Sequence, residues 1–252
     1  MQHVQLTNTD GLLAIRMARP KANALNSELV AELREAIGTA AADSAVRGAI
    51  LASAMPGIFS AGFDAREIFP FGPAEIKTFF GNFTELCHAL LDFPKPLGAA
   101  VEGHAIAGGA IVALTCDLRV FGEGDYGFAV NEINLGLVLS HGILQMAVSA
   151  MGAAAARELI LEGVVINPAR AHAVGLAAEL APAGKAFERA EARVRGLMEK
   201  PPIAFAAVKR LIRETMIVPV ARELESLDSF VGYWTSDEST ERRQRLAASL
   251  RR

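Results

Sequence analysis

Apolar and polar residues alternate over Val4 to Leu6, and a second apolar run, Leu12 to Met17, follows Asp10-Gly11, a pattern that predicts a β-hairpin. Asn26 or Ser27 can then cap a helix with Leu29, Val30, Leu33 and Ile37 on one face. This strand, strand, helix unit recurs. Gly48 to Ser53 reads as a short apolar strand, a glycine-bearing turn follows, and Ile76, Phe79, Phe80, Phe83, Leu86, Cys87 and Leu90 return at helical spacing. After Pro94-Lys95-Pro96 come a strand over Leu97 to Val101, a second glycine-bearing turn, a helix opening near Gly108 and a strand over Cys116 to Phe121. Beyond Ser140 the pattern turns helical: Ile143 to Met151, Ala154 to Leu161, and a helix opened by Asn167-Pro168 and closed at Gly175. A short strand over Leu176 to Leu180 and a helix ending near Met198 follow. Pro201-Pro202 precedes the last helical stretches, Phe205 to Arg213, Ala221 to Tyr233 and Ser239 to Leu250. The expected organisation is an α/β core over residues 1–195 and a helical region over 196–252. Leu224, Leu227, Phe230 and Trp234 in that region need a surface to cover, in their own core or on another subunit.

Composition narrows the setting. With 252 residues, 52% hydrophobic and 21% charged, the chain can bury a sizeable core. A net charge of -3 argues against nucleic-acid binding through bulk charge. The two cysteines, Cys87 and Cys116, make neither a disulfide framework nor a metal site, so no metal is expected. The N-terminus lacks the pattern of a secretory or transit segment, and the C-terminal Leu250-Arg251-Arg252 is not a peroxisomal address. The apolar stretch around Ala105 to Cys116 contains two glycines and falls short of the roughly 20 residues that span a bilayer. A cytoplasmic protein without a membrane span is the expectation.

The candidate chemistry lies in the two turns, Phe59-Ser60-Ala61-Gly62-Phe63-Asp64 and Gly103-His104-Ala105-Ile106-Ala107-Gly108-Gly109, and in the carboxylate of Glu132. Each turn follows an apolar strand and precedes a helical pattern, so each can aim unpaired backbone N–H groups at a developing oxyanion. Glu132 can move a proton. With the run ending Ala113-Leu114-Thr115-Cys116-Asp117 and the segment Asn131-Glu132-Ile133-Asn134-Leu135-Gly136, these residues resemble the enoyl-CoA hydratase and isomerase superfamily, almost end to end. The resemblance implies a crotonase fold of repeated ββα units with a C-terminal helical region that builds trimers or pairs of trimers. It implies an acyl-CoA thioester as substrate, with no separate cofactor. It further implies an oxyanion hole from the N–H groups of Phe63 and Gly108, acyl-CoA contacts along Ala61, Gly62, Phe63, Asp64 and Ala65, and a backbone contact from Asn131.

Within that superfamily the carboxylates separate the activities. Hydratases of this family carry two glutamates, one on the helix after the second glycine motif and one in the segment matching Asn131-Glu132-Ile133. The first position here is Ile111. Adding water needs one group to orient and deprotonate it and another to protonate the neighbouring carbon, whereas shifting a double bond from position 3 to position 2 needs a single base. Ile111 should exclude water and raise the pKa of Glu132 by desolvation. Asn131-Glu132 in place of the hydratases' Pro-Glu, and Leu139-Ser140-His141-Gly142 in place of their glycine-rich run, are similar to the monofunctional Δ3,Δ2-enoyl-CoA isomerases. The alternatives are a hydratase or another crotonase-type enzyme, and a non-catalytic acyl-CoA binder.

The remaining polar residues are assigned structural roles. Asp64 is expected to cap the next helix, Asp117 to make structural hydrogen bonds, and His104 and His141 to stay outside the catalysis. Arg242, Arg243, Arg245, Arg251 and Arg252 read as a solvated helix face, and Phe79, Phe80 and Phe83 as a core or acyl-pocket face.

Overall fold

The computed structural model describes residues 1–216 and 220–249. The side chain of Leu224 and residues 250–252, with Arg251 and Arg252, lie outside the described residues. The hairpin forms as the alternation predicts: β1 (Val4–Thr9) pairs antiparallel with β2 (Leu12–Met17). Asp10 and Gly11 both take positive φ, 50° and 82°, as a two-residue turn of the primed type requires. Asn26 caps α1 (Ser27–Ala42), its side chain accepting from the Leu29 N–H, and Leu29, Val30, Leu33 and Ile37 are buried.

Three further units follow. They are β3 (Gly48–Ser53), β4 (Gly57–Ser60), α2 (Ala65–Ile68) and α3 (Pro73–Leu91); β5 (Leu97–Val101), β6 (Gly103–Ile106) and α4 (Gly108–Leu114); then β7 (Leu118–Gly122), β8 (Phe128–Ala129) and a 3-10 turn, Glu132–Leu135. The first strand of each unit enters one sheet and the second strand another. The larger sheet runs β1-β2-β3-β5-β7-β9, with β9 at Glu179–Ala181, and the smaller runs β4-β6-β8. Among the described residues the strand pairings of both sheets after the hairpin are parallel, with one antiparallel bridge between Phe128 and Ile166.

The smaller sheet corrects the local reading. Phe59 and Ser60 belong to β4, and Gly103 to Ile106 form β6, where turns were expected. These strands have four residues each, start at glycines and pair with each other across more than 40 residues, so no local alternation announces them. The expected strand over Cys116 to Phe121 starts later, at Leu118, and the one over Leu176 to Leu180 reduces to β9.

Both faces of the larger sheet are covered along β3, β5 and β7, which explains their mostly apolar strands, whereas β1 at the edge is exposed. In β3, Ala49 and Leu51 face the main core with α1 and α3, while Ile50 and Ala52 face α7 (Ala186–Met198) through Ala190 and Val194. The helix α7 ends at Met198, so the expected boundary at 195/196 falls inside it.

The helix α5 (His141–Leu161) joins the two predicted helices, and Gly152, at φ 77° and ψ 160°, marks the break between them. By length and composition this helix, rather than the Ala105 to Cys116 stretch, could cross a membrane, although Gly152 interrupts its helical backbone. Asn167 caps α6 (Pro168–Ala173) by accepting from the Arg170 N–H.

The C-terminal helices are α8 (Pro202–Arg213), α9 (Val220–Thr235) and α10 (Asp237–Ser249). A buried ion cluster fastens α8: Asp117 accepts from Lys209 Nζ at 2.8 Å, Arg213 Nη2 at 2.6 Å and the Leu97 N–H at 2.8 Å. Burial holds the Lys209 pKa down to about 8, with Asp117 opposing. Asp117 thus has the structural hydrogen bonds expected of it. The helix α9 packs on α3 and α10 on the 3-10 turn, so Leu227, Phe230 and Trp234 cover a surface of their own chain.

Candidate active site

The first turn is held from an unexpected quarter. Lys21, Ala22 and Asn23 take positive φ in succession, at 62°, 78° and 49°, a conformation that costs L-residues energy unless their surroundings enforce it. Asn23 is fully buried and enforces it, its side chain accepting from Arg19 N–H and donating to Ser53 Oγ and the Phe59 carbonyl. The strained segment then grips the turn: Ala61 N–H donates to Ala22 O, Leu25 N–H to Gly62 O, and Asp64 N–H to Leu25 O. Arg19 closes the arrangement with an ion pair to Asp64 at 2.7 Å.

The second turn lies against the first. Ala107, at φ 47° and ψ -123°, bends the chain from β6 into α4, and its N–H donates to Ala129 O. Gly62 takes φ 88°, and a β-carbon there would meet the Ile106 carbonyl oxygen at 2.7 Å. The amides of Ala61, Gly62, Asp64 and Ala107 donate to residues around them, whereas the N–H groups of Phe63, Gly108 and Gly109 donate to none of the described residues. Gly108 opens α4, where a helix leaves its first N–H groups unpaired.

Glu132 begins the 3-10 turn after β8 and is 6% exposed. Neither of its carboxylate oxygens has a hydrogen-bond partner from another side chain or backbone group. Burial pushes its pKa up to about 7, its own backbone amide opposing. Unpaired carboxylates are rarely buried, because desolvation costs several kcal/mol unless the group takes a proton or a ligand. A group held near neutrality in this way suits proton transfer.

Glu132 opens into a cavity of about 470 Å³. Of the predicted site residues, Ala61, Phe63, Ala65, Asn131 and Glu132 line it, with Ile111 beside them. Gly62, Asp64 and Gly108 are not on its wall, although Gly108 directly follows Ala107, which is. Gly62 and Gly108 serve the packing of the two turns, and the Asp64 side chain is taken by Arg19 and by the cap of α2 at the Arg66 N–H. Among the described residues, Glu132 is the only carboxylate on the wall.

The sequence reading missed other parts of the wall. Ser140 and His141, at the start of α5, line the cavity, as do Leu227, Phe230 and Trp234 of α9 and Leu246 of α10. Nothing local marks them, since they reach the site only through packing across the fold. His104 lies elsewhere and accepts from the Gly127 N–H, the structural role expected of it. No cluster of His, Cys, Asp or Glu able to hold a metal occurs among the described residues.

Comparison with known proteins agrees with this geometry. The chain superposes on human mitochondrial delta3-delta2-enoyl-CoA isomerase with a TM-score of 0.95, at 27% identity, covering 99% of this chain and 98% of that one. The enoyl-CoA delta isomerase 1, mitochondrial, of Mus musculus is 28% identical over 236 residues, 93% of this chain and 82% of the relative. Probable enoyl-CoA hydratase 2, mitochondrial, of Arabidopsis thaliana is 31% identical over 223 residues, 88% of this chain and 74% of the relative. A family model described as enoyl-CoA hydratase/isomerase matches residues 7–245. The paired sheets, the abutting turns and this match together make the chain a member of the enoyl-CoA hydratase/isomerase family, with the crotonase fold.

Proposed function

We propose that the protein is an isomerase that moves the double bond of unsaturated acyl-CoA thioesters from position 3 to position 2. The observation that carries this reading is the pairing on one cavity wall of a single buried, unpartnered carboxylate, Glu132, with the apolar Ile111. The thioester oxygen accepts from the N–H groups of Phe63 and Gly108. Glu132, ionised, takes a proton from carbon 2, and the negative charge spreads through a dienolate onto that oxygen. The same carboxyl then returns the proton to carbon 4, leaving the double bond between carbons 2 and 3. The two amides act where charge develops and need no reorganisation; one such donor is worth roughly 2.7 to 4 kcal/mol of transition-state stabilisation. Ile111 keeps water from the dienolate. CoA belongs to the substrate, and no separate cofactor takes part.

The test is to offer a 3-enoyl-CoA in deuterium oxide and follow both the 2-enoyl product and deuterium entry at carbons 2 and 4. Formation of the conjugated product with exchange supports the reading. Absence of both, across short and long acyl chains, removes it. Ser140 and His141 on the same wall favour one second reading, hydration, because they could orient a water. The product's mass separates the two, since hydration adds a water and isomerisation adds nothing.

A further inference from the structure

The apolar part of the cavity is arranged as a path. Phe63, which carries one of the proposed oxyanion donors, lies 5.1 Å ring to ring from Phe80 of α3, and Phe80 lies 4.4 Å from Phe230 of α9. Trp234 stands beyond, 5.9 Å from Phe80 and 6.1 Å from Phe230, and is buried. Leu227 and Leu246 complete the distal wall. No charged side chain lines this end, where Ser229 is the polar residue that α9 contributes, so it favours an apolar occupant. The far wall therefore comes from helices α9 and α10 of the same chain, and α10 is tied to the catalytic segment by Arg242 donating to the Asn134 carbonyl at 3.2 Å.

Volume limits the occupant. At about 30 Å³ for a water-sized group, a cavity of 470 Å³ holds on the order of fifteen such groups. The thioester and the adjoining end of the pantetheine arm take part of this space, so the ring-lined end is left for an acyl chain of limited length. A short acyl group would leave the ring-lined end unfilled, and a long one would have to displace Phe230 or Trp234.

We infer that the preferred substrates carry linear medium-length acyl chains, and that Phe230 of α9, packed on Phe80, sets the length limit. This rests on seating the thioester beside Phe63, as in the function proposed above, but not on which reaction follows. The test is therefore binding rather than turnover. The dissociation constants of butyryl-, hexanoyl-, octanoyl-, decanoyl-, dodecanoyl- and hexadecanoyl-CoA are measured by titration calorimetry on the intact protein.

Each buried methylene should tighten binding about fourfold up to octanoyl or decanoyl, after which the gain stops. Phe230→Ala should move that plateau to longer chains and lower the decanoyl-to-dodecanoyl preference. Should this variant misfold, Leu246→Trp at the half-buried distal wall fills the space instead and should lower the decanoyl-to-butyryl affinity ratio at least tenfold. A wild-type affinity that does not change with length, or that still rises at hexadecanoyl, overturns the inference. So does a plateau that neither variant moves. If the ladder holds while no isomerisation occurs, the acyl-length inference stands and the isomerase reading falls.

Discussion

The ring of Phe63 occupies the space where a side chain at position 108 would stand: a β-carbon on Gly108 would lie 2.6 Å from Phe63 Cε1. The ring of one proposed donor thus packs directly on the backbone of the other, and this ring, with Leu25 Cδ1 at 3.0 Å, leaves room at 108 for glycine. Gly108→Ala should displace one amide and lower kcat by about a hundredfold, with an overpacking cost of about 1 to 3 kcal/mol in stability. Adding Phe63→Ala frees the space while keeping both backbone amides, so the double variant should regain part of kcat. Steady-state kinetics and thermal unfolding check this; a double variant slower than Gly108→Ala alone would exclude the ring contact as the cause.

Glu132 links activity to pH. With its pKa raised to about 7, the ionised base becomes available as pH rises through neutrality, so kcat/KM for isomerisation should climb along an acid limb centred there. Glu132→Gln should abolish exchange at carbon 2 throughout. A variant that still exchanges would remove Glu132 from the role of base.

The same shift has a stability consequence of opposite sense. Below the ordinary carboxyl pKa of 4.5 both folded and unfolded chains hold the proton, and the group costs nothing. As pH rises from 4.5 towards 7, the unfolded chain releases its proton while the folded chain retains it, so stability falls. The loss is complete above about 7 and amounts to at most about 3 kcal/mol. Glu132→Gln should therefore be more stable than the parent at pH 8 by up to that amount, and the difference should shrink towards pH 4. Denaturant titrations at the two pH values measure it; a pH-independent difference would mean that burial does not raise the carboxyl.

Ile111 decides which reaction follows enolate formation. Ile111→Glu places a second carboxylate on the wall that holds Glu132, and a small yield of hydrated product should appear while isomerisation slows. Mass spectrometry of the product is sufficient. If no water is added, the single-base argument loses its main support.

Asp117 holds α8 through Lys209 and Arg213. Asp117→Asn leaves two buried cations without their counter-ion, and should destabilise the fold by about 3 to 5 kcal/mol. Hydrogen exchange should locate the loosening at α8, and protection there equal to the parent's would show that the cluster does not anchor the helix.

Much of this fold was legible because local chemistry specifies it. Asp10-Gly11 can make a hairpin turn without strain, Asn26 offers its side chain to an amide three residues on, and Gly152 can leave the helical conformation without a side-chain clash. Glu132, the two glycine turns and Ile111 were likewise visible as an ordered set of residues. Other features depend on partners distant in sequence. The strands β4 and β6 depend on pairing with each other and, for β6, with β8, and the positive φ of Lys21, Ala22 and Asn23 is held where Asn23 is bonded to Ser53 and Phe59.

The sequence by itself determined which groups are present: two glycine-bearing turns, one carboxylate, and an isoleucine where a second carboxylate could stand. Only the tertiary structure decided how they act. Burial raises the pKa of Glu132, and α9 and α10 fold back to close the apolar end of its cavity. The physical reason is that hydrogen bonds and backbone turns are settled over a few residues, whereas desolvation and cavity shape are properties of everything packed around a group.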